Sequence, residues 1–569
     1  MIVKVLFLLT CVFCTIDTRL FVYPSLSRSL LMETGLLAIA FVAIVHSIVC
    51  RKRMLTGYYS GFVLLWVAYI LAHGLLTPCM EAYRTMYLCI TVFSVIPLSY
   101  CLKYGLLQKK DMVLGVTVMV AIQLVYVYGQ LFGILQAGNS LYRITGCNDN
   151  PTVTAIFLTG SLPFMASGIK AKERTSVHAV LPMLTVIAIV LLRCRTAYIG
   201  MGVEALILVL YNKRSRQVLL RYRWQAALTF AAVAGVAAVS LYSMKRDSAN
   251  GRLLTWRLSA EMIAEKPQGH GYGLFARNYN LKQAEYFSGS TASKEERQNA
   301  TFTFMAYNDY LEHGVDGGIA GMLFLAIFYV LTIRRAMHSG DIGMTALLAA
   351  FTVMSLTNFV CSSIQPWLLV VCASAIVTCG GEGTGTRYAG LAMLPVVLFA
   401  TCCTLSATAS QLRLKQLSDN MVSHQTVSDT EYAGIERGIL TSEAFWRVRA
   451  SNQMRTGDYG AALKNIGRAL QYTMSPVLLY MAYHCHAALG RERDGIPYIK
   501  KVYHIQPTLL LPKLLLMRHS HSQGDIPSAL RYAQEITVTG MKVESSDGEA
   551  ILREAERYIE KYNKNNRQK

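Results

Sequence analysis

Long apolar runs, repeated along most of the chain, constrain this sequence more than any single motif. Stretches such as GFVLLWVAYILAHGLL (61–76), LPMLTVIAIVLL (181–192) and AGLAMLPVVLFATCCTL (389–405) approach the length that crosses a bilayer, which is roughly 20 residues of helix. One such run can be the buried helix of a soluble core, but a succession of them cannot be packed inside one soluble domain. Composition agrees: 53% of residues are hydrophobic and 16% charged, against about 25% charged in an ordinary soluble domain. Only helices and closed barrels satisfy their backbone in lipid, and continuous apolar runs indicate helices. The expected fold is all-α: a polytopic helical membrane protein followed by a soluble α-helical repeat domain. About thirteen spans are predicted, at 2–17, 29–49, 58–76, 82–101, 112–135, 151–168, 176–192, 197–211, 224–242, 316–333, 342–360, 366–380 and 388–407. The first also fits a signal peptide, with Lys4 as its basic flank and a short apolar core.

The net charge of +21 is that of many nucleic-acid binders, but its distribution excludes that class. The cations cluster in short segments between the runs: Arg51–Lys52–Arg53, Lys103 with Lys109 and Lys110, Lys170 with Lys172 and Arg174, NKRSRQVLLRYR, and Arg334–Arg335. All fall on one side under this count, which the positive-inside rule makes the cytoplasm. Arg193, Arg195, the polar stretch 243–315 and, by parity, the C-terminal domain then lie outside. The partners this implies are membrane lipids and no nucleic acid. The cysteines lie mostly in or beside apolar runs (Cys89, Cys372, Cys402, Cys403). They indicate neither a zinc site nor a disulfide framework, and no metal is expected.

From about residue 440 amphipathic helices replace the membrane pattern. Gly457, Gly490 and Gly524 recur at 33 and 34 residues, and Pro476 and Pro507 stand where new helical pairs open. Small residues (Ala462, Ala469, Ala529) occupy positions of close helix approach. The period resembles the tetratricopeptide repeat over about 440–540, although several aromatic positions depart from that pattern; a generic array of helical hairpins has the same spacing. Either is a docking surface, with a protein partner, rather than a catalytic unit. His484, His486, His519 and His521 are spaced two apart, which puts helix partners on different faces, so they read as packing or surface histidines. The expected domains are N-terminal transmembrane helices (1–242), a large outer loop holding the catalytic region (243–315), C-terminal transmembrane helices (316–407), a linker (408–439) and the repeat domain (440–569).

The outer loop contains EKPQGHGYGLF, in which Gly269, Gly271 and Gly273 alternate around His270. Alternate glycines let backbone N–H groups close on a phosphate. The Lys-Ser/Thr of a P-loop is missing, and a turn placed by Pro267 explains the same residues. Preceding it, Leu253, Leu254, Trp256, Met262 and Ile263 suit an amphipathic helix on the membrane surface, flanked by Arg252 and Arg257. Arg195 stands at the outer end of a span, where a charge is expensive and hence a functional candidate. Guanidinium forks match phosphate oxygens, so Arg195, Arg252 and Arg257 read either as a diphosphate site or as headgroup anchors.

Three segments in order, RCRTAYIGM (193–201), GRLLTWRLSAEMIAEKPQGHGYGLFARNY (251–279) and YNDYLEHGVDGGIAGMLF (307–324), give the chain a resemblance. It resembles the O-antigen ligase family of membrane glycosyltransferases, which includes O-antigen polymerases and bacterial O-oligosaccharyltransferases, over about 150–370. A C-terminal tetratricopeptide-like domain occurs in a subset of that family. The resemblance implies a multi-pass protein of the bacterial inner membrane with its large loop in the periplasm. It implies a glycan donor on undecaprenyl diphosphate and transfer to an acceptor hydroxyl, on lipid A-core or protein, with no nucleotide sugar and no cofactor. It gives Arg195, Arg252, Arg257 and the glycine loop (Gly269, His270, Gly271, Gly273) to the donor's diphosphate. Where many ligases carry His before Asn or Ser in H-N-x-x-L, this chain has Tyr307–Asn308. A neutral tyrosine, with its pKa of about 10, is a poor base. The general base is therefore open among His313, Glu312, Asp309 and His270. Ligase-like transfer in lipopolysaccharide assembly leads, with protein O-oligosaccharyl transfer and glycan polymerisation beside it. From another class, a transporter or channel with a periplasmic adaptor domain would need more intramembrane acids and broken helices than the spans show.

Overall fold

A computed structural model describes residues 1–16, 18–77, 80–167, 176–222, 224, 246–289, 292–381, 383–384, 388–423, 427–436, 442–541 and 545–567. The chain forms two compact units: Met1–Met244 with Pro267–Gly273 and Ala306–Leu440, and Lys245–Lys266 with Leu274–Met305 and Thr441–Lys569.

The first unit is a helical bundle. Its described helices are α1 (Ile2–Phe13), α2 (Pro24–Val49), α3 (Gly57–Leu76), α4 (Ala82–Phe93), α5 (Val95–Lys103), α6 (Lys109–Leu131), α7 (Pro151–Ser167), α8 (Ser176–Leu191), α9 (Arg195–Tyr211) and α10 (Lys213–Arg221). The numbering runs on through the second unit's α11–α13 to this unit's remaining helices, α14 (Asp309–Ser339), α15 (Ile342–Met354), α16 (Ile364–Thr378), α17 (Ala389–Val422) and α18 (Asp429–Glu436). Six described stretches are long and apolar enough to cross a membrane: α2, α3, α4–α5 taken together, α6, α14 and α17; α1, α7, α8, α15 and α16 are shorter apolar helices. The expected span 224–242 lies outside the described residues except for Trp224.

Burial follows apolar distribution. The most apolar window of α4–α5 is 89% buried whereas that of α17 is 22% buried, so α4–α5 is a central element and α17 keeps most of its surface for lipid. At one end of the bundle Lys4 pairs with Asp111 (3.1 Å), Lys109 with Asp341 (2.5 Å), and Lys103 donates to the Gly381 carbonyl. A two-residue antiparallel ladder, β1 (Leu55–Thr56) with β2 (Gly383–Thr384), closes the same end. At the other end Arg28 donates to the Cys147 carbonyl (2.7 Å), Gln123 to Gln365 (3.0 Å) and Asn358 to Thr196 (3.1 Å). Cys11 and Cys14, a C-x-x-C spacing in α1 and its C-cap, are buried free thiols.

The second unit joins the outer loop to the C-terminal helices. Loop helices α11 (Arg246–Glu265), α12 (Phe275–Ser288) and α13 (Lys294–Asn299) stand with α19 (Glu443–Arg455), α20 (Tyr459–Ala469), α21 (Pro476–Ala488), α22 (Glu492–Ile505), α23 (Leu510–Ser522), α24 (Ile526–Thr539) and α25 (Ser546–Arg567). The α19/α20, α21/α22 and α23/α24 hairpins turn at Gly457, Gly490 and Gly524, with φ of 82°, 72° and 75°, a region that glycine enters without strain. Asp458 and Asp525 follow two of these glycines and cap the next helix, accepting from Ala461 N (2.9 Å) and Ser528 N (3.1 Å). Helix α12 lays Ala284 against Met474, Leu479, Val502 and Ile505, and Gln283 donates to the Ile505 carbonyl (2.6 Å). Leu254, Leu258 and Met262 of α11 are buried within this unit, so the helix expected to lie on the membrane with that face uses it for packing instead.

One consequence concerns topology. Residues 246–305 and 442–567 share a compact unit, so they lie on one side of any membrane, and an even number of crossings separates them. Four apolar helices, α14 to α17, lie between.

Candidate functional site

The site is built around a break in α14. Gly318 has φ 69° and ψ −171°, values outside the helical region, in the middle of an otherwise helical run. A break frees backbone groups that a helix would pair internally, and in an apolar bundle each must find another partner. The segment 267–273 supplies them. Ile319 N donates to the Pro267 carbonyl (2.9 Å), His270 N to Val315 O (2.8 Å) and Gly271 N to Asp316 O (2.9 Å). Gly273 N donates to the Asp316 carboxylate (2.8 Å), and the Tyr69 hydroxyl donates to Gly317 O (2.5 Å). A Cβ at Gly269 would run into the backbone of Asp316–Gly318, and one at Gly318 into Pro267–Gln268. The alternating glycines therefore permit a backbone strap to lie against a helix break. The N–H groups of His270, Gly271 and Gly273, which a phosphate cradle would need, are already given to α14, which corrects the phosphate-loop expectation for Gly269–Gly273.

The strap also delivers Tyr272. Its ring lies edge-on to His73 (5.5 Å) and to His313 (6.1 Å), and its carbonyl accepts from Glu81 N (3.1 Å). Its hydroxyl is fitted beside Gly317 and Gly321, where any Cβ would collide with it. Burial pushes that hydroxyl well above the usual tyrosine pKa, so it stays protonated.

Helix α4 contributes a cation. Glu81 caps α4, accepting from Arg84 N (2.6 Å), and Arg84 extends from the first turn to Glu312 of α14 and to Ser362. A cation there faces the unfavourable end of the helix dipole, so the Glu312 carboxylate is needed to hold it. Glu312 is also bound by Ala306 N (3.0 Å) and the Ser362 hydroxyl (3.2 Å). Together Arg84, Tyr87, Tyr272, Glu312, His313 and Asp316 line a pocket with Cys361 and Ser362. The cavity is about 20 Å³, room for about one water-sized group.

The four base candidates separate. Asp309 is buried, and its carboxylate accepts from Val360 N (2.9 Å) and Cys361 N (3.2 Å), fastening the α15–α16 loop. Glu312 is saturated by Arg84, Ser362 and Ala306. His270 is outside the pocket lining, with its N–H on α14. His313 lines the pocket, stands against Trp66 (6.1 Å between rings), and its Nδ1 is buried without a hydrogen-bond partner among the described residues. Tyr307 holds a left-handed φ of 52° with its ring against Phe359 (5.6 Å), and Asn308 caps α14, accepting from Leu311 N (3.1 Å). Both shape the entry to α14 rather than line the pocket.

Among the arginines, Arg195 opens α9, beside Thr196, which receives the Asn358 side chain, and it is outside the pocket lining. Arg252 and Arg257 are on α11 in the second unit. Arg257 pairs with Glu296 (2.9 Å) and stacks over Tyr286 (4.9 Å), fastening α11 to its neighbours. Arg84 went unnoticed in the sequence, though the signal was present: EAYRTMYLC puts a guanidinium at the mouth of an apolar run, the same argument that singled out Arg195.

No curated protein matches this chain. Residues 180–326, which hold Arg195, Arg252, Arg257, the strap and the first half of α14, match a family model described as O-Antigen ligase. That match supports the O-antigen ligase family and indicates a membrane enzyme that transfers glycosyl groups.

Proposed function

We propose that this protein is an O-antigen ligase-like transferase, moving a glycan from undecaprenyl diphosphate to an acceptor hydroxyl at the periplasmic face. The observation that carries the reading is the pocket at the break of α14, where a buried histidine without hydrogen bonds adjoins the Arg84–Glu312 pair. Arg51, Lys52, Arg53, Lys103, Lys109, Arg334 and Arg335 belong to the bundle end closed by β1–β2, and the pocket to the opposite end. Positive charge marks the cytoplasmic end, which supports a periplasmic pocket.

In this reading the acceptor oxygen attacks the anomeric carbon of the donor sugar and the bond from that carbon to the diphosphate oxygen breaks. His313 takes the acceptor proton. Arg84, oriented by Glu312, and Arg195 favour the charge that develops on the departing diphosphate. Asp316 and Tyr272, fixed by the strap, keep the pocket narrow enough to admit a hydroxyl and exclude bulk water. The tetratricopeptide-like reading of α19–α25 makes that array a docking surface beside the catalytic loop helices, and this favours protein as the second acceptor class.

Deleting the gene and running lipopolysaccharide on a gel beside a glycoprotein blot tests the acceptor. Loss of the lipopolysaccharide ladder alone supports the ligase; loss of protein glycosylation alone replaces it with the oligosaccharyltransferase. Complementation with His313→Ala, Arg195→Ala and Arg252→Ala tests the site, and full transfer by His313→Ala would remove it from the mechanism.

A further inference from the structure

In the second unit, helix α25 faces α23 and the start of α24 across a groove that has no role in the chemistry above. It encloses about 1010 Å³ including its open mouth. Along α25 the lining residues are Glu554, Arg557, Tyr558, Lys561 and Tyr562, the i, i+3, i+4, i+7, i+8 positions of one helical face. Opposite them, Arg518 grips Glu554 through two bonds (2.8 and 2.7 Å), and His521 Nδ1 meets the Tyr558 hydroxyl (3.0 Å). Glu554 is the sole carboxylate in the lining and it is spent on Arg518. Arg557 and Lys561 have no ion-pair partner among the described residues, which leaves the groove with two uncompensated cations. Met517 and Ile526 give its floor an apolar side.

We propose that this groove binds an extended polypeptide segment carrying carboxylates at alternate positions. Arg557 and Lys561 are one helical turn apart, about 6 Å between their Cβ atoms. Side chains on one face of an extended chain repeat every two residues, about 7 Å, so two alternate carboxylates reach both cations. The lining stripe from Glu554 to Tyr562 is about 12 Å long, the reach of about four extended residues. The tyrosines and the Met517–Ile526 floor receive the side chain between the carboxylates. This site is independent of the transferase reading and stands or falls separately from it.

Fluorescence anisotropy of full-length protein in detergent, titrated against a labelled Glu-Tyr-Glu-Tyr-Glu peptide, tests the proposal. The peptide is expected to bind, and its affinity to fall about tenfold or more between about 50 and 300 mM salt. Arg557→Gln/Lys561→Gln should weaken binding about tenfold or more, while the circular dichroism of these exposed-face variants is unchanged. Equal binding of the Gln-Tyr-Gln-Tyr-Gln peptide, or no effect of the double variant, overturns the charge match. Tighter binding of an oligogalacturonate than of the acidic peptide overturns the choice of polypeptide in favour of an acidic glycan.

Discussion

Removing Arg84 tests both the architecture of the pocket and its chemistry. In Arg84→Met, Glu312 remains with its side chain 5% exposed and keeps only its bonds from Ala306 N and Ser362. Breaking a buried ion pair from one side costs about 3–5 kcal/mol. Arg84 itself is 35% exposed, which lets solvent enter where its guanidinium was and lowers the expected loss to about 2–3 kcal/mol. Glu312→Gln leaves a guanidinium that water reaches, and should cost less, about 1–2 kcal/mol. In Arg84→Met/Glu312→Gln no charge is stranded, so the double variant should be more stable than the sum of the single losses by about 2 kcal/mol. Tryptophan fluorescence during reversible unfolding in detergent gives the three stabilities. Each variant should also lose glycan transfer by about 100-fold or more, as for removal of a positioned charge stabiliser. Additive stabilities, with coupling below about 0.5 kcal/mol, would refute the pairing; wild-type transfer by Arg84→Met would refute its place in the chemistry.

Three further expectations follow from the same geometry. Gly269→Ala, at φ 89° with its Cβ directed into the α14 backbone, should cost about 3 kcal/mol or more and abolish transfer. Gly105→Ala, at φ 73° with open space around it, should cost about 1 kcal/mol and leave transfer intact; equal effects in thermal unfolding would disprove the strap. Asp309→Asn, which can still accept from Val360 N, should keep transfer within about tenfold, whereas His313→Gln should lose about 100-fold or more; the reverse order in initial rates would exchange their roles. Lys513 is buried in α23 and its pKa is lowered to about 8 by desolvation. The unfolded chain then binds more protons than the folded one between about pH 8 and 10.5, so this residue's contribution to stability rises with pH across that window. The penalty is fully present below pH 8, about 3 kcal/mol, so Lys513→Met should stabilise the second unit at neutral pH and narrow its advantage towards about pH 10 in urea titrations followed by circular dichroism. A constant difference would show that Lys513 is not charged in the fold at neutral pH.

The sequence by itself determined the class of fold, because the features that specify it are local. An apolar run of α2 or α6 is legible from consecutive residues, as is the 33–34-residue recurrence of Gly457, Gly490 and Gly524, since a left-handed turn needs glycine wherever it occurs. Arg195, Glu312 and His313 were also visible as chemically costly residues near apolar runs. Tertiary structure decided what those residues face. Arg84 and Glu312 are 228 positions apart, and no local pattern signals that one holds the other. The glycines of 269–273 looked the same whether they cradled a phosphate or a helix; the free carbonyls and N–H groups created by the break at Gly318 decided between them. The choice of base came the same way, since Asp309, Glu312 and His313 differ by what binds them rather than by spacing. Local sequence sets the conformations a segment can adopt, while the pairing of buried polar groups depends on segments that only the packed bundle brings together.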